Sequence, residues 1–337
     1  MHSRLRPTAE LLTGAIALIA LIAAAATIAG CGGSSSDKLA LVAYSTPQEA
    51  YGKLIPAFQA TSQGKGVTFT QSYGASGDQS RAVVNGLPAD VVEFSYQPDM
   101  QRLVDAGKVA KDWQDVKYNG FVTNSVVVFA VRKGNPKNIK TWSDLAKPGV
   151  DVITANPVVS GGARWNLAAA YGQAIKSGAT QQQALAYVKS LLKNVSVQDK
   201  SGRESLQTFL GGKGDVLITY ENEAKTAIAK GEDIDYVIPP TTLLIQNPLA
   251  VTTTTKNATA AKSFQDFLLS DQGQKIFADA GYRPVNKALV DKSVYPTPQT
   301  LLTIDELGGW TKLNALLFDE NTGAVTKINQ ELGVSGR

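Results

Sequence analysis

Apolar positions along the chain switch between two rhythms. From Leu39, LALVAYS is apolar over a strand length, and PQEAYGKLIPAFQAT repeats its apolar residues at helical spacing behind Pro47. VTFTQSY reads as a strand, DQSRAVVNG as a short helix ended by Gly86, and ADVVEFS as a strand. This alternation predicts a parallel sheet with helices on both faces. A second run starts near Ser125: SVVVFAVRK (strand), TWSDLAK (helix), VDVITANP (strand), ARWNLAAAYGQAI and QQQALAYVKSLLK (helices), NVSVQ (strand), ESLQTFLGG (helix), DVLITYE and DYVIPP (strands). Beyond Pro239-Pro240, LLIQNPLAVTTTT reads as extended and AAKSFQDFLLSDQGQKIFADAG as a helical return. The pattern predicts two α/β lobes. Residues 39–124 and 241–337 form a discontinuous lobe I and 125–240 form lobe II, with a ligand cleft between them.

The N-terminal stretch follows neither rhythm. Arg4 and Arg6 precede LLTGAIALIALIAAAATIA, which leads to Gly30 and Cys31. A positive start, an apolar middle and small residues at the end describe a secretory signal over residues 1–30. Ile28-Ala29-Gly30-Cys31 resembles the bacterial lipobox, in which the cut falls before a Cys that carries lipid. Residues 31–38 then supply the lipidated Cys and a Gly/Ser tether. The competing reading is an uncleaved membrane anchor, since the apolar run is about long enough to span a bilayer. Both readings put the folded part outside the cytoplasm.

Composition narrows the chemistry. The 337 residues suit two lobes, and the net charge of +4 is scattered without a basic run, which argues against nucleic acid as a partner. The one His is His2 and the one Cys is Cys31, so the body of the chain has neither. Ser-His and Cys-His catalysis, thiol redox chemistry and His- or Cys-ligated metals are excluded there. No cofactor and no metal are expected.

One local feature recurs three times. Gly74-Ala75-Ser76-Gly77, Ser160-Gly161-Gly162 and Ser201-Gly202 each follow a strand and open a helix, and Ser201 with Glu204 has capping-box spacing. The first turn of a helix has unpartnered N–H groups and the positive end of the macrodipole, and Gly admits a ligand close to the backbone. Three such ends in one cleft would bind an anion through neutral groups. Each alone reads as an ordinary helix cap, and no nucleotide-binding fingerprint is present.

On these segments the chain resembles the periplasmic sulfate-binding proteins of ABC transporters. The resemblance runs through GASGDQSRAVVNGLPADVV, SGGARWNLAAAYG, GDVLITYENEA, YRPVN and TIDELGGWTK, and covers most of residues 40–335. It implies a two-lobed type II binding-protein fold, sulfate held by uncharged donors, delivery to a membrane ABC permease by hinge closure, and no catalysis; a monomer is the expectation for the chain itself. Carried over, the ligand-binding residues are Ser76, Ser160, Gly161, Gly162, Gly202 and Tyr220. Two departures stand out. Tyr220 replaces a Trp common in relatives, and a phenol can accept as well as donate where an indole only donates. Gln48 replaces an Arg after the first strand.

Nearby charged residues invite other readings. Arg164 suits a supporting place better than contact with the anion. Glu221 and Glu223, two apart at a strand end, could be taken for a catalytic pair of a secreted hydrolase, but a carboxylate beside an anion is unfavourable unless paired. Trp142, Trp165 and Trp310 read as packing residues. Within the binding class, thiosulfate, molybdate, tungstate or phosphate are the alternative ligands.

Overall fold

The computed structural model describes residues 37–334. The segment read as a signal, Cys31 and nearly all of the tether lie outside these residues. The first half runs β1 (Lys38–Tyr44), α1 (Gln48–Gln59), β2 (Thr68–Gly74), α2 (Ser76–Val84), β3 (Val91–Glu93) and α3 (Gln97–Asp105). It continues through β4 (Phe121–Arg132), β5 (Val152–Ala155), α4 (Gly161–Lys176), α5 (Gln181–Lys193), β6 (Val195–Asp199), α6 (Gly202–Leu210), β7 (Val216–Tyr220), α7 (Glu221–Ala229) and β8 (Ile234–Val237). The return consists of β9 (Thr241–Val251), α8 (Ala258–Leu268), α9 (Asp271–Asp279), β10 (Thr300–Leu302), α10 (Gly309–Leu313) and α11 (Ala324–Glu331).

The strands lie in the order β2-β1-β3-β9-β4-β7-β5-β6, with β10 beside β9 and β8 beside β4. β1 is parallel to β2 and β3, and β5 is parallel to β6 and β7. The expected all-parallel order stops there. β9 is antiparallel to both β3 and β4, and β4 is antiparallel to β7. The long strand β9 pairs with β3 through Leu249–Val251 and with β4 through Leu244–Pro248, so one extended segment joins the two parallel groups.

Three local readings need correction. TWSDLAK forms a short 3₁₀ turn at Trp142–Ala146 rather than an α-helix. The Asp144 carboxylate caps its start, accepting from Thr141 N at 2.8 Å, and Pro148 follows the turn, where it disfavours helical continuation. The helical return breaks into α8 and α9 because Ser270 caps a new start, accepting from Gly273 N at 3.2 Å. α3 has no counterpart in the expected elements, although Pro98 near its start and buried Met100, Leu103 and Val104 mark it.

Burial follows the apolar faces. Phe58, Phe264 and Phe277 fill one cluster beneath α1, α8 and α9. Trp165 and the apolar face of α5 fill another, together with Trp310, Leu313, Phe318, Val325 and Ile328. The last segment, from β10 onward, therefore shares its core with α4 and α5.

Candidate anion-binding site

The carboxyl ends of β1, β2, β3, β5 and β7 all lead into one cavity, lined by Tyr44, Gly74, Ser95, Ala155 and Tyr220 at or just past those ends. In open α/β sheets this is where ligands bind. Four helices begin at residues lining the same cavity or adjoining them: α2 at Ser76, α4 after Ser160, α6 at Gly202 and α7 after Tyr220. The cavity measures about 20 Å³, above the roughly 10–15 Å³ a water needs and far below the ~300 Å³ of sites for larger ligands. It suits a group of a few heavy atoms.

Five of the six expected residues line it: Ser76, Ser160, Gly162, Gly202 and Tyr220. Gly161 does not. A Cβ on Gly161 would stand 2.8 Å from the Tyr96 ring and 2.9 Å from Ser95 Oγ, so this glycine lets α4 approach the segment after β3. A Cβ on Gly202 would meet only Thr46 Cγ2 at 3.7 Å, so the position has room for alanine.

The serines differ in what they can offer. Ser160 Oγ accepts from Ala163 N at 3.3 Å, and Ser201 Oγ accepts from Glu204 N at 3.2 Å, the N-cap bonds expected from sequence. Ser76 is occupied instead. Its hydroxyl donates to Asp99 at 2.6 Å and accepts from Ser95 N at 2.9 Å. What Ser76 can turn toward an anion is its backbone N–H. The next N–H in α2, from Gly77, donates to Val159 O at 3.0 Å and ties α2 to the turn before α4.

No Lys, Arg or His lines the cavity, and its one charged lining residue is Glu223. Glu223 is not free: Arg203 donates to both its oxygens, at 2.7 and 3.0 Å. Arg203 also donates to Glu49 at 2.6 Å and to Thr46 O at 3.1 Å. Burial works against this cation, but Glu223 and Glu49 outweigh it and raise the Arg203 pKa above its ordinary value. Glu221 is held by Arg283 at 2.6 and 3.0 Å. Both carboxylates of the suspected catalytic pair are thus engaged by guanidinium groups.

Tyr220 is fully enclosed, and its hydroxyl bonds Ser95 Oγ at 2.7 Å. Burial raises its pKa far above the ordinary phenol value, so it stays protonated. Arg164 stays outside the cavity lining, donating to Tyr96 Oη at 2.6 Å and to Pro157 O at 2.8 Å. Trp142, Trp165 and Trp310 are core residues. Sequence reasoning missed Tyr44, Ser45, Thr46, Ser95 and Asn166 as lining residues. Strand ends could have flagged the first four, whereas Asn166 sits within α4, where no such signal exists.

The chain is similar to known proteins in sequence and, for one solved structure, in fold. The family described as bacterial extracellular solute-binding protein matches residues 39–283. A sulfate-binding protein of Synechococcus elongatus is 42% identical over 92% of this chain and 94% of its own. A thiosulfate-binding protein of Pseudomonas aeruginosa is 36% identical over 88% of this chain and 94% of its own. Among solved structures, the sulfate-binding protein SubI from Mycobacterium tuberculosis H37Rv is 46% identical, with a TM-score of 0.82, covering 84% of this chain and all of that one.

Proposed function

The chain belongs to the bacterial extracellular solute-binding protein family, and from that premise we propose that it captures sulfate outside the cytoplasm and delivers it to a membrane ABC permease. One observation carries the reading. Four helix starts meet at a cavity for a few heavy atoms, with no cationic side chain in its lining. Helix N–H groups and the positive ends of helix dipoles bind a small anion in that setting. Ser76, Ser160, Gly162, Gly202 and Tyr220 are the proposed ligand-binding residues, and Gly161 acts by letting α4 pack close. Sulfate is fully ionised near neutral pH and offers only acceptors, which matches a wall of donors.

Binding works by hinge closure in this reading. One lobe is 39–124 with the start of the return, and the other is 125–240. We assign the segment from Thr300 onward to the second lobe, on the core it shares with α4 and α5. The protein acts as a monomer and performs no chemistry; both acidic residues that could suggest catalysis are ion-paired. Residues 1–30 serve as its export signal, and lipid on Cys31 holds it at the outer face of the membrane. Titration calorimetry with sulfate, thiosulfate, molybdate and phosphate tests the assignment. Sulfate should bind most tightly, and tighter phosphate binding would overturn it. Thiosulfate is the second ligand to weigh, because a relative of comparable coverage is a thiosulfate-binding protein.

A further inference from the structure

Five acidic side chains are buried among the described residues: Glu93, Asp99, Asp144, Glu221 and Glu223. Four have a cation. Asp99 meets Arg102 at 2.8 Å, Asp144 meets Lys147 at 2.6 Å, and Glu221 and Glu223 meet Arg283 and Arg203. Glu93 is 0% exposed and has none. Tyr51 donates to its Oε2, and its Oε1 has no hydrogen-bond partner. An unpaired carboxylate in such a place is costly, and taking up a proton relieves the cost.

The surroundings of Glu93 are also the wall of the anion cavity. It ends β3, beside Ala43 of β1 and Leu249 of β9. The titratable groups that face it are tyrosines: Tyr51 from α1, Tyr44 from β1, Tyr73 from β2 and Tyr282 from the segment after α9. Tyr44 lines the cavity, and so does Thr46, whose hydroxyl shares a 3.1 Å hydrogen bond with Tyr282. A charge on Glu93 would therefore stand one layer of side chains behind the bound anion, with no cation between them.

We propose that Glu93 is a positioning residue that stays a neutral acid while the cavity holds its anion, so that oxyanion capture is linked to a proton. Losing that proton places a further negative charge behind a dianion and weakens binding. The inference rests on the reading of the cavity as a sulfate site. Burial pushes the Glu93 carboxyl up to about 8. Asp99, whose carboxyl is also raised by burial, has Arg102 beside it, and the other groups that face Glu93 keep their charge state near neutrality. The one His is His2, and the facing tyrosines are raised above ordinary phenols by burial. Sulfate itself carries no proton in this range.

The test is calorimetric titration of the purified protein with sodium sulfate from about pH 6 to about pH 9.5 at constant ionic strength. The wild-type affinity should be level below about pH 7, then weaken by up to about tenfold per pH unit above about pH 8. Glu93→Gln keeps the shape of the neutral acid and should bind like the wild type at the acid end, with no alkaline loss. Tyr51→Phe removes the hydrogen bond that favours the carboxylate and should move the break to higher pH. A level wild-type profile overturns the proposal, as does an unchanged alkaline loss in Glu93→Gln. If Glu93→Gln does not fold, the wild-type profile and the direction of the Tyr51→Phe shift decide it. Absence of sulfate binding at about pH 6 would instead refute the sulfate reading itself, so the two failures are distinct.

Discussion

The two walls of the cavity handle buried charge in opposite ways. On the side of β5 and β7, both buried glutamates are bidentate partners of arginines, Glu221 with Arg283 and Glu223 with Arg203. Their charge is cancelled in place by the facing guanidinium groups. On the wall built from β1, β2 and β3, Asp99 has Arg102, but Glu93 has only tyrosines. Its charge is removed by a proton instead. A site that binds an anion with neutral donors tolerates acidic neighbours in either form, provided neither presents an uncompensated negative charge.

The strongest way to break the contrast is to uncouple the arginine wall. Arg203→Met leaves Glu223 buried beside the cavity without its cation. It should cost roughly 3–5 kcal/mol of stability, measured by urea denaturation, and should weaken sulfate binding. Adding Glu223→Gln should recover much of both, and failure of that rescue would mean Arg203 acts through packing alone. Gly161→Asp comes next. It should weaken sulfate binding at least ~100-fold, about 2.7 kcal/mol, because its Cβ alone would press on Ser95 and Tyr96. Normal binding by this variant would show that the close approach of α4 is dispensable.

The third comparison sets Glu93→Gln against wild type in stability. The folded-state pKa of Glu93 is raised above its unfolded value of 4.5 by burial. Its stabilising contribution is therefore complete below that value and is lost as pH rises to about 8. Relative to Glu93→Gln, the wild type should lose about 1.4 kcal/mol per pH unit across this window. A constant gap between the two denaturation midpoints would place the carboxyl's proton elsewhere. Tyr220→Phe removes one neutral hydrogen bond to Ser95 and should cost about 1 kcal/mol, read as a several-fold weaker sulfate affinity. The smallest effect belongs to Gly202→Ala, whose added methyl meets only Thr46 at 3.7 Å. Sulfate affinity should be nearly unchanged, and a large loss would mean α6 approaches the ligand more closely than this space allows.

Much of this was legible from local pattern. Strand and helix order in both α/β runs, and the serine caps Ser160 and Ser201, follow from side-chain periodicity and from the chemistry of helix starts. These are properties of a few consecutive residues. Other features needed partners far along the chain. β9 looks merely extended in sequence; its antiparallel place between β3 and β4 depends on strands well over a hundred residues away. Gly161 and Gly162 look equivalent as letters, yet one packs against Ser95 and Tyr96 and the other faces the cavity.

The sequence by itself determined an α/β chain, poor in His and Cys, with serine and glycine at the starts of its helices. Tertiary structure alone decided that four helix starts share one cavity, that the Ser76 hydroxyl is spent on Asp99, and that Glu93 lacks a cation. The reason is physical. Hydrophobic periodicity and capping act over a few residues, whereas ion pairing and desolvation depend on which distant side chains meet where water is excluded.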